Sequence, residues 1–417
     1  MGNMSNTISS FVSRRGFLST SAGAGAVAMA PTWLRAVGEA VAPMYARVAE
    51  VLAKTIGIDM HNHVYPAGTE PHPQHGGGPQ QDQQAQGPEY SLAGEIRATG
   101  LTAVCASYVM DFAQNDKPGD AMGNYLGWLT AMDAQGQMRR ALTLKDLEEA
   151  HAQGRPTIVQ TVEGAQFIEG RLEGVEEVYR HGLRHLQLLH MKDDMVKPLG
   201  DVTTAPAHLG GLTTFGAEVV KECNRLGILV DLAHASAETV KGALKVATKP
   251  VLVSHTSLDS FTGGNQRMWE MMQAHLISKE HAKVVADTGG VVGVWTHMAD
   301  TLAKFVESIK AMVDAIGIDH VGIGTDTDLL SARDGGGTNT AYPAMRGGFF
   351  PAVVGEMLRQ GFAVEEIAKV GGGTIAGSLG RLRRGMGELS KESDKRNGKP
   401  DIRLPISFAI RGLLRLG

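Results

Sequence analysis

The chain has 417 residues, and its 40 basic and 44 acidic residues give a formal net charge of −4. This balance argues against a nucleic-acid-binding protein or an electrostatic membrane anchor, and 5% aromatic residues argue against a base-stacking or sugar-stacking surface. The two cysteines, Cys105 and Cys223, lie in an apolar run and a helix-like stretch. Two buried thiols are therefore expected, rather than a disulfide or a catalytic thiol.

Residues 1–30 have the features of a signal peptide and are excluded from the fold prediction. Ser13 to Leu18 (SRRGFL) resembles the twin-arginine export motif, and the small, mildly apolar run behind it ends Ala28-Met29-Ala30. That run is shorter than the ~20 apolar residues that a membrane span needs. The sequence therefore predicts export by the twin-arginine route to the periplasm or the extracellular space. A helical segment is predicted over 31–55, and cleavage after it is the alternative to cleavage at Ala30.

From residue 56 onward, short apolar runs alternate with amphipathic segments. Strands are predicted over 56–60, 101–108, 157–162, 184–189, 227–232, 250–254, 289–294 and 320–325. Helix-like segments lie between them, for example 216–226, 236–247, 278–288 and 301–316. Eight alternations predict an α/β fold, the (β/α)8 TIM barrel of the metal-dependent hydrolase type, over 56–385. A doubly wound open sheet is the runner-up, but the chain has neither GxGxxG nor GxxxxGK[ST] to support it.

Two segments break this alternation. Residues 66–89 are rich in Pro, Gly and Gln, and they predict a flexible insertion after the first strand. His72 and His75 lie in it and are expected to be solvated, because a flexible loop is a poor platform for metal ligands. The tail 386–417 begins charged and ends in an amphipathic piece. Packing on the barrel and packing on a partner subunit both remain open, and so does a homodimer.

Ionisable residues end six of the eight predicted strands, and active sites of such barrels form at the C-terminal ends of the strands. Strand one ends His61-Asn62-His63, and alternate strand residues share a face, so both imidazoles can bind one divalent ion. The other five strand ends carry Glu163, His190, His234, His255 and Asp326. Buried ionisable groups are costly unless they are paired or bind metal. The set as a whole therefore favours a metal site over isolated structural roles.

Four histidines and one carboxylate suffice for two divalent metal ions if Glu163 bridges them, and zinc is the expected metal. The predicted metal ligands are His61, His63, Glu163, His234 and His255. Two such ions polarise a carbonyl group and lower the pKa of water to about 7, which is the chemistry of amide hydrolysis.

These residues resemble the membrane (renal) dipeptidase family, metallopeptidase family M19 of the amidohydrolase superfamily. The resemblance covers about 56–380 and is most specific from Gly211 to Ser257. It rests on DMHNH, TVEG, YRHGLRHLQLLH, GLTTFGAEVVKECNRLGILVDLAH, PVLVSHTS and HVGIGTDTD.

The resemblance implies that His61 and His63 bind one ion, that His234 and His255 bind the other, and that Glu163 bridges. It implies three further roles, for residues that also contact the substrate. His190 stabilises the oxyanion. Arg267 binds a substrate carboxylate, with a surface salt bridge as its alternative. Asp326 moves a proton between the attacking water and the leaving amine.

Three features depart from the family pattern. His63 stands where the family usually has aspartate, Gly372-Gly373-Thr374 stands in place of Gly-Gly-Asn, and the insertion 66–89 is expected over the barrel mouth. The predicted activity is hydrolysis of the amide bond of dipeptides by a binuclear metal enzyme. An amidohydrolase acting on another small amide or an N-acyl amino acid is the alternative. A non-catalytic binding protein is disfavoured by the complete ligand set, and no nucleic acid or stable membrane span is expected.

Overall fold

The structure is a computed structural model, and it describes most of the predicted barrel. The described residues are 44–64, 92–109, 120–134, 139–191, 196–264, 266–329, 336–343, 345 and 347–380. The predicted signal peptide 1–30, the insertion 66–89 with His72 and His75, and the tail 386–417 lie outside them. The predicted helical segment 31–55 is described from residue 44, and a helix covers 44–54.

Eight parallel strands close into a barrel. They are β1 (Ile58–His63), β2 (Ala103–Val109), β3 (Thr157–Glu163), β4 (His185–Gln187), β5 (Leu229–Asp231), β6 (Leu252–Thr256), β7 (Val291–Val294) and β8 (Val321–Ile323). Each strand pairs with the next, and β1 pairs with both β2 and β8. A two-residue strand, β9 (Thr327–Asp328), pairs with the end of β1. The (β/α)8 barrel prediction is confirmed, and closure excludes the open sheet.

Helices surround the barrel. They are α1 (Leu92–Thr99), α2 (Asp120–Ala134), α3 (Leu144–Ala152), α4 (Glu173–Arg180), α5 (Thr214–Leu226), α6 (Ala237–Val246), α7 (Gln266–Met272), α8 (Lys279–Asp287), α9 (Leu302–Ile316), α10 (Phe349–Arg359) and α11 (Val364–Ala368). A π-helical turn, Lys369–Gly373, leads into a last helix over 374–380. Among the described residues, no helix has the length and apolar character that crossing a membrane requires.

Local sequence explains where the four helices predicted from periodicity begin. Each is preceded by Ser or Thr, whose hydroxyl accepts a hydrogen bond from a backbone N–H in the first turn and so satisfies a donor that the helix leaves open. These capping residues are Thr213, Ser236, Ser278 and Thr301. Helix α5 ends at Gly227, which adopts the left-handed conformation (φ 78°) that favours glycine.

Strand residues alternate between two apolar clusters. Val104, Ile158, Val230 and Val253 pack in the large cluster with the helices. Their neighbours Cys105, Val159, Leu229 and Leu252 form a smaller second cluster. Because successive strand residues face opposite sides, the second cluster lies inside the barrel. Polar side chains continue this inward face beyond it, at the C-terminal rim.

Both cysteines are buried and unpaired within the described chain, as predicted. Burial raises the pKa of the Cys105 and Cys223 thiols above the usual range. Neither thiol is therefore available as a thiolate nucleophile at neutral pH.

Candidate metal centre

Seven predicted side chains come together at the C-terminal rim of the barrel, each at or just beyond the end of its strand. Because all eight strands are parallel, these ends meet at one face. They are His61 and His63 of β1, Glu163 of β3, His190 after β4, His234 after β5, His255 of β6 and Asp326 after β8. All but His234 and Asp326 are at most 5% exposed.

Glu163 lies between two groups of histidines. Its Oε2 is 3.4 Å from His61 Nε2. Its Oε1 is 3.4 Å from His190 Nε2, 3.5 Å from His234 Nε2 and 3.7 Å from His255 Nε2. Burial alone would raise the pKa of this carboxyl, but the charges of His190 and His61 hold it well below its usual range. The ionised carboxylate thus faces different histidines with each oxygen.

The two oxygens of Asp326 also face different side chains. Its Oδ1 is 3.0 Å from His63 Nε2 and 3.7 Å from His61 Nε2, and its Oδ2 is 2.9 Å from His297 Nε2. Burial opposes a charge on His63, but the hydrogen bond that His63 donates to Asp326 outweighs burial and raises the pKa of His63 to about 9. The first strand and the eighth are therefore joined electrostatically at the rim.

The residues fit divalent metal ions. Three sets of donor atoms lie within 4.8 Å of one another: His61, His63 and Asp326; His61, Glu163 and His255; Glu163, His190 and His234. Three buried atoms make no hydrogen bond within the described residues. They are the two ring nitrogens of His61 and Oε2 of Glu163. Buried polar atoms without hydrogen bonds are costly, and imidazole together with carboxylate suits divalent transition-metal ions. These sets extend the predicted ligand set, because they include Asp326 and His190.

Two residues of the cluster have strained backbones. His234 (φ 64°) and Asp326 (φ 56°) adopt the left-handed region, which costs a non-glycine residue roughly 1–3 kcal/mol. Both are held there by backbone hydrogen bonds: Asp326 N donates to His61 O (3.0 Å), and Thr203 N donates to His234 O (2.9 Å). Such strain is common where a fold fixes a functional side chain.

A buried aspartate, Asp59, forms hydrogen bonds that fix the end of β1, which carries His61 and His63. It accepts hydrogen bonds from Thr325 N (2.8 Å), Asn62 Nδ2 (2.9 Å) and His61 N (3.2 Å). These bonds connect the end of β1 with the segment that carries Asp326. Burial raises the pKa of Asp59, so its charge depends on this full set of donors.

A second buried aspartate, Asp231, supports the other half of the cluster. It accepts hydrogen bonds from His185 Nε2 (2.9 Å), Ala233 N (3.0 Å) and Ser254 N (3.0 Å). The Ser254 hydroxyl lies 2.8 Å from His255 Nδ1 and so leaves His255 Nε2 for the cluster. Asp231 thus ties together the strand ends that carry His234 and His255.

Sequence reasoning missed two histidines at the rim. His297 contacts Asp326 and lies three residues beyond the end of β7. An ionisable residue that close to a strand end is a signal that could have identified it from the sequence. His275 lies in a turn between α7 and α8, with its Nδ1 3.2 Å from His234 Nδ1. No periodicity or strand end marks His275, because only the return of this loop over the barrel brings it there.

Arg267 is not joined to the cluster by any contact of the described residues. It is exposed on α7, and no hydrogen bond or ion pair there links it to Glu163, Asp326 or the histidines. Its neighbour Asn265 lies outside the described residues. A substrate-binding role for Arg267 therefore stays a prediction.

A closed (β/α)8 barrel with a histidine–carboxylate cluster on its C-terminal rim places the chain in the class of metal-dependent barrel hydrolases. The membrane dipeptidase family profile (Peptidase family M19) matches residues 45–376, and the chain belongs to that family.

The chain is also similar to curated dipeptidases. Dipeptidase verJ of Clonostachys rogersoniana is 28% identical over 237 residues, covering 54% of this chain and 55% of that protein. The chain thus spans about half the length of the curated relatives it matches.

Two solved structures share the fold. The probable dipeptidase PvdM of Pseudomonas aeruginosa is 16% identical and has a TM-score of 0.63, covering 82% of this chain and 99% of that one. A metallo peptidase of Rhodobacter sphaeroides, liganded with a phosphinate mimic of the dipeptide L-Ala-D-Ala, is 18% identical with a TM-score of 0.58, covering 79% and 99%.

Proposed function

We propose that the chain hydrolyses the amide bond of dipeptides with two divalent metal ions, for which zinc is the expected metal. The observation that carries this proposal is the position of Glu163, whose two oxygens face separate groups of histidines on the rim of a barrel of the membrane dipeptidase family. An amidohydrolase that cleaves another small amide or an N-acyl amino acid is the alternative.

The proposed ligands are His61 and His63 for one ion and His234 and His255 for the other, with Glu163 between them. When bound, such ions polarise an amide carbonyl and lower the pKa of water, so that water attacks at neutral pH.

Two further side chains are proposed to act on the substrate. His190 Nε2 lies 3.4 Å from Glu163 Oε1, and as a hydrogen-bond donor it stabilises the charge that develops on the carbonyl oxygen. Asp326 takes a proton from the attacking water and returns it to the leaving amine. Its pKa is held well below the usual range, because the neighbouring histidines, His255 and His297 foremost, outweigh burial. The carboxylate is therefore ionised at neutral pH.

Support for a dipeptide as substrate comes from two relatives: verJ is described as a dipeptidase, and the Rhodobacter metallo peptidase binds a dipeptide mimic. The test uses the chain without residues 1–30, loaded with zinc, and measures kcat/KM for dipeptides, their C-terminal amides and N-acyl amino acids. Dipeptides should be preferred, and metal analysis should give two ions per chain. Faster cleavage of N-acyl amino acids would favour the alternative. Light scattering of the same sample decides between a monomer and a homodimer.

Arg267 is the predicted contact for the substrate carboxylate. A guanidinium holds a carboxylate through charge-assisted hydrogen bonds, and the net contribution of a hydrogen bond to a charged group is roughly 1.5–3 kcal/mol. Arg267→Ala should therefore lower kcat/KM for a dipeptide about tenfold to a hundredfold. The same change should matter little for the dipeptide's C-terminal amide, which lacks the charge. Equal losses for the two substrates would show that Arg267 does not contact the carboxylate.

Export by the twin-arginine route to the periplasm or the extracellular space completes the proposal. Its support is Ser13 to Leu18 (SRRGFL), followed by a short run of small and apolar residues. Replacing Arg14 and Arg15 together by lysine should leave the precursor in the cytoplasm, as measured by cell fractionation. Unchanged export of this variant would contradict the proposed route.

A further inference from the structure

His297 lies at the mouth of the barrel, three residues beyond the end of β7. Its side chain is 33% exposed, and its Nε2 lies 2.9 Å from Asp326 Oδ2. The other oxygen of Asp326, Oδ1, is the one that faces His63 (3.0 Å) and His61 (3.7 Å). One oxygen of Asp326 is therefore held by His297, while the other faces the metal-binding histidines.

Hydrogen bonds next to this contact join the two segments that carry His297 and Asp326. Thr296, the residue before His297, donates from its Oγ1 (2.9 Å) and its backbone N (3.3 Å) to the carbonyl of Thr325, the residue before Asp326. The Tyr342 hydroxyl donates in turn to Thr296 O (3.2 Å). These hydrogen bonds hold the segments after β7 and β8 together at the rim.

The ring of His297 is oriented as well as placed. It meets the Trp295 ring edge to face, with 5.0 Å between centroids and an interplanar angle of 87°. Trp295 is 2% exposed and is held in place by the core. Its ring therefore restricts the orientation of the His297 imidazole that it contacts. The imidazole therefore presents Nε2 to Asp326 in one orientation.

Asp326 needs such a partner for a physical reason. Its backbone is fixed at φ 56°, but an aspartate carboxylate turns about its Cβ–Cγ bond with a broad energy minimum. A carboxylate that turns freely presents either oxygen, or both, to the cationic side of the site. Together with the contact between Oδ1 and His63, a charge-assisted hydrogen bond to Oδ2 restricts this rotation.

We propose that His297 is a positioning residue of the reaction, which donates from Nε2 to Asp326 Oδ2 and so keeps Oδ1 directed at the proton that Asp326 transfers. This inference rests on the proposed function. His297 itself neither gives nor takes the transferred proton: the proton passes from the attacking water to Asp326 and then to the leaving amine.

The test compares two substitutions at the same position in the zinc-loaded enzyme. His297→Leu keeps much of the side-chain volume and removes the donor, whereas His297→Gln places an amide N–H near the position of Nε2. Loss of an outer hydrogen-bond partner of this kind typically costs 10–100-fold in activity. We expect His297→Leu to lower kcat by about that factor with KM and zinc content unchanged. His297→Gln should recover most of the lost kcat.

His320→Leu serves as the matched control. His320 precedes β8, at the opposite end of the barrel, and its Nδ1 lies 2.9 Å from Gly290 O. This variant loses a histidine hydrogen bond in the same barrel and should keep its kcat. Thermal unfolding of all three variants separates a loss of activity from a loss of fold.

Each other outcome overturns the proposal. Full kcat in His297→Leu, or an equal loss in the Leu and Gln variants, would show that the hydrogen bond to Asp326 is not used. A raised KM with unchanged kcat would make His297 a substrate contact instead. A wild-type enzyme that takes up zinc and hydrolyses none of the dipeptides would contradict the proposed function itself, whereas active wild type with an unaffected His297→Leu would contradict only the role of His297.

Discussion

Two carboxylates organise the rim at the scale of single residues, and they differ in their surroundings. Both have histidines at each oxygen, but Glu163 is 1% exposed, whereas Asp326 is partly exposed at the mouth. A carboxylate enclosed by donors suits metal binding, because nothing else there can receive its charge. A carboxylate that reaches the mouth can meet substrate and water. The surroundings therefore support bridging by Glu163 and proton transfer by Asp326.

Glu163→Gln should remove most of the activity and reduce zinc binding. A neutral amide cannot balance two cations, and metal ions supply several kcal/mol of transition-state stabilisation, so a loss of about 100-fold or more in kcat is expected. Zinc content and kcat are both measured. Glu173→Gln, in the exposed first turn of α4, is the control and should change neither. Near wild-type turnover with a full complement of zinc would refute the bridging role.

The residues that could be predicted share one property, which is their place at a strand end. Parallel strands bring such residues to the same rim of the barrel, regardless of the conformation of the loops. His61, Glu163 and His255 could therefore be assigned from the sequence. His275 could not, because its position depends on how a long connection folds back. Arg267 illustrates the same limit, since family resemblance gives it a role but local sequence does not bring α7 to the cluster.

At the scale of elements, the strands were predicted within a few residues, and the differences have a physical origin. The fifth strand was predicted over 227–232 and is Leu229–Asp231, because its pairing with β4 runs only over these three residues. The strand β9 was not predicted. Its two residues follow Asp326 directly, and they pair with β1 because the left-handed turn at Asp326 redirects the chain.

Two helical glycines should respond to alanine with opposite signs. Glycine usually weakens a helix by roughly 0.5–1 kcal/mol relative to alanine, so Gly127→Ala should stabilise the protein by about that amount. Gly127 is exposed in α2, and an added Cβ would meet nothing within 4 Å in the described chain. At Gly216 in α5, an added Cβ would lie 2.1 Å from Leu199 O. Gly216→Ala should therefore destabilise by about 1–3 kcal/mol.

Urea unfolding of the two glycine variants, with unchanged solvent conditions and zinc content, checks both signs. The close approach at Gly216 fixes how α5 packs on the loop that carries Leu199, a segment between β4 and β5. Stabilisation of Gly216→Ala equal to that of Gly127→Ala would mean that this approach relaxes freely. The comparison thus tests packing of the scaffold without touching the rim.

At the scale of the whole molecule, the barrel could be predicted because eight apolar runs with helical segments between them allow few closed architectures. The chemistry of the centre also follows from the sequence, since the ionisable residues far exceed what a packed core tolerates without partners. The hydrogen bonds that hold the strand ends in place at the rim could not be predicted from the sequence. Asp59 and Asp231 are single residues in apolar strands, and only their hydrogen bonds to neighbouring strands reveal their role.

Metal removal should lower the thermal stability of the entire barrel, because the proposed ligands join four strand ends, those of β1, β3, β5 and β6. Burial and the neighbouring His61 hold the pKa of His255 well below its usual range, so His255 is neutral at neutral pH and able to bind a cation. A ligand present at a hundredfold excess over its dissociation constant stabilises the folded state by about 2.7 kcal/mol per site. Chelation should therefore lower Tm, and added zinc should restore it. Calorimetry with and without chelator measures the shift, which Glu173→Gln should keep and Glu163→Gln should largely lose. An identical Tm before and after verified loss of metal would show that the barrel holds these strand ends without it.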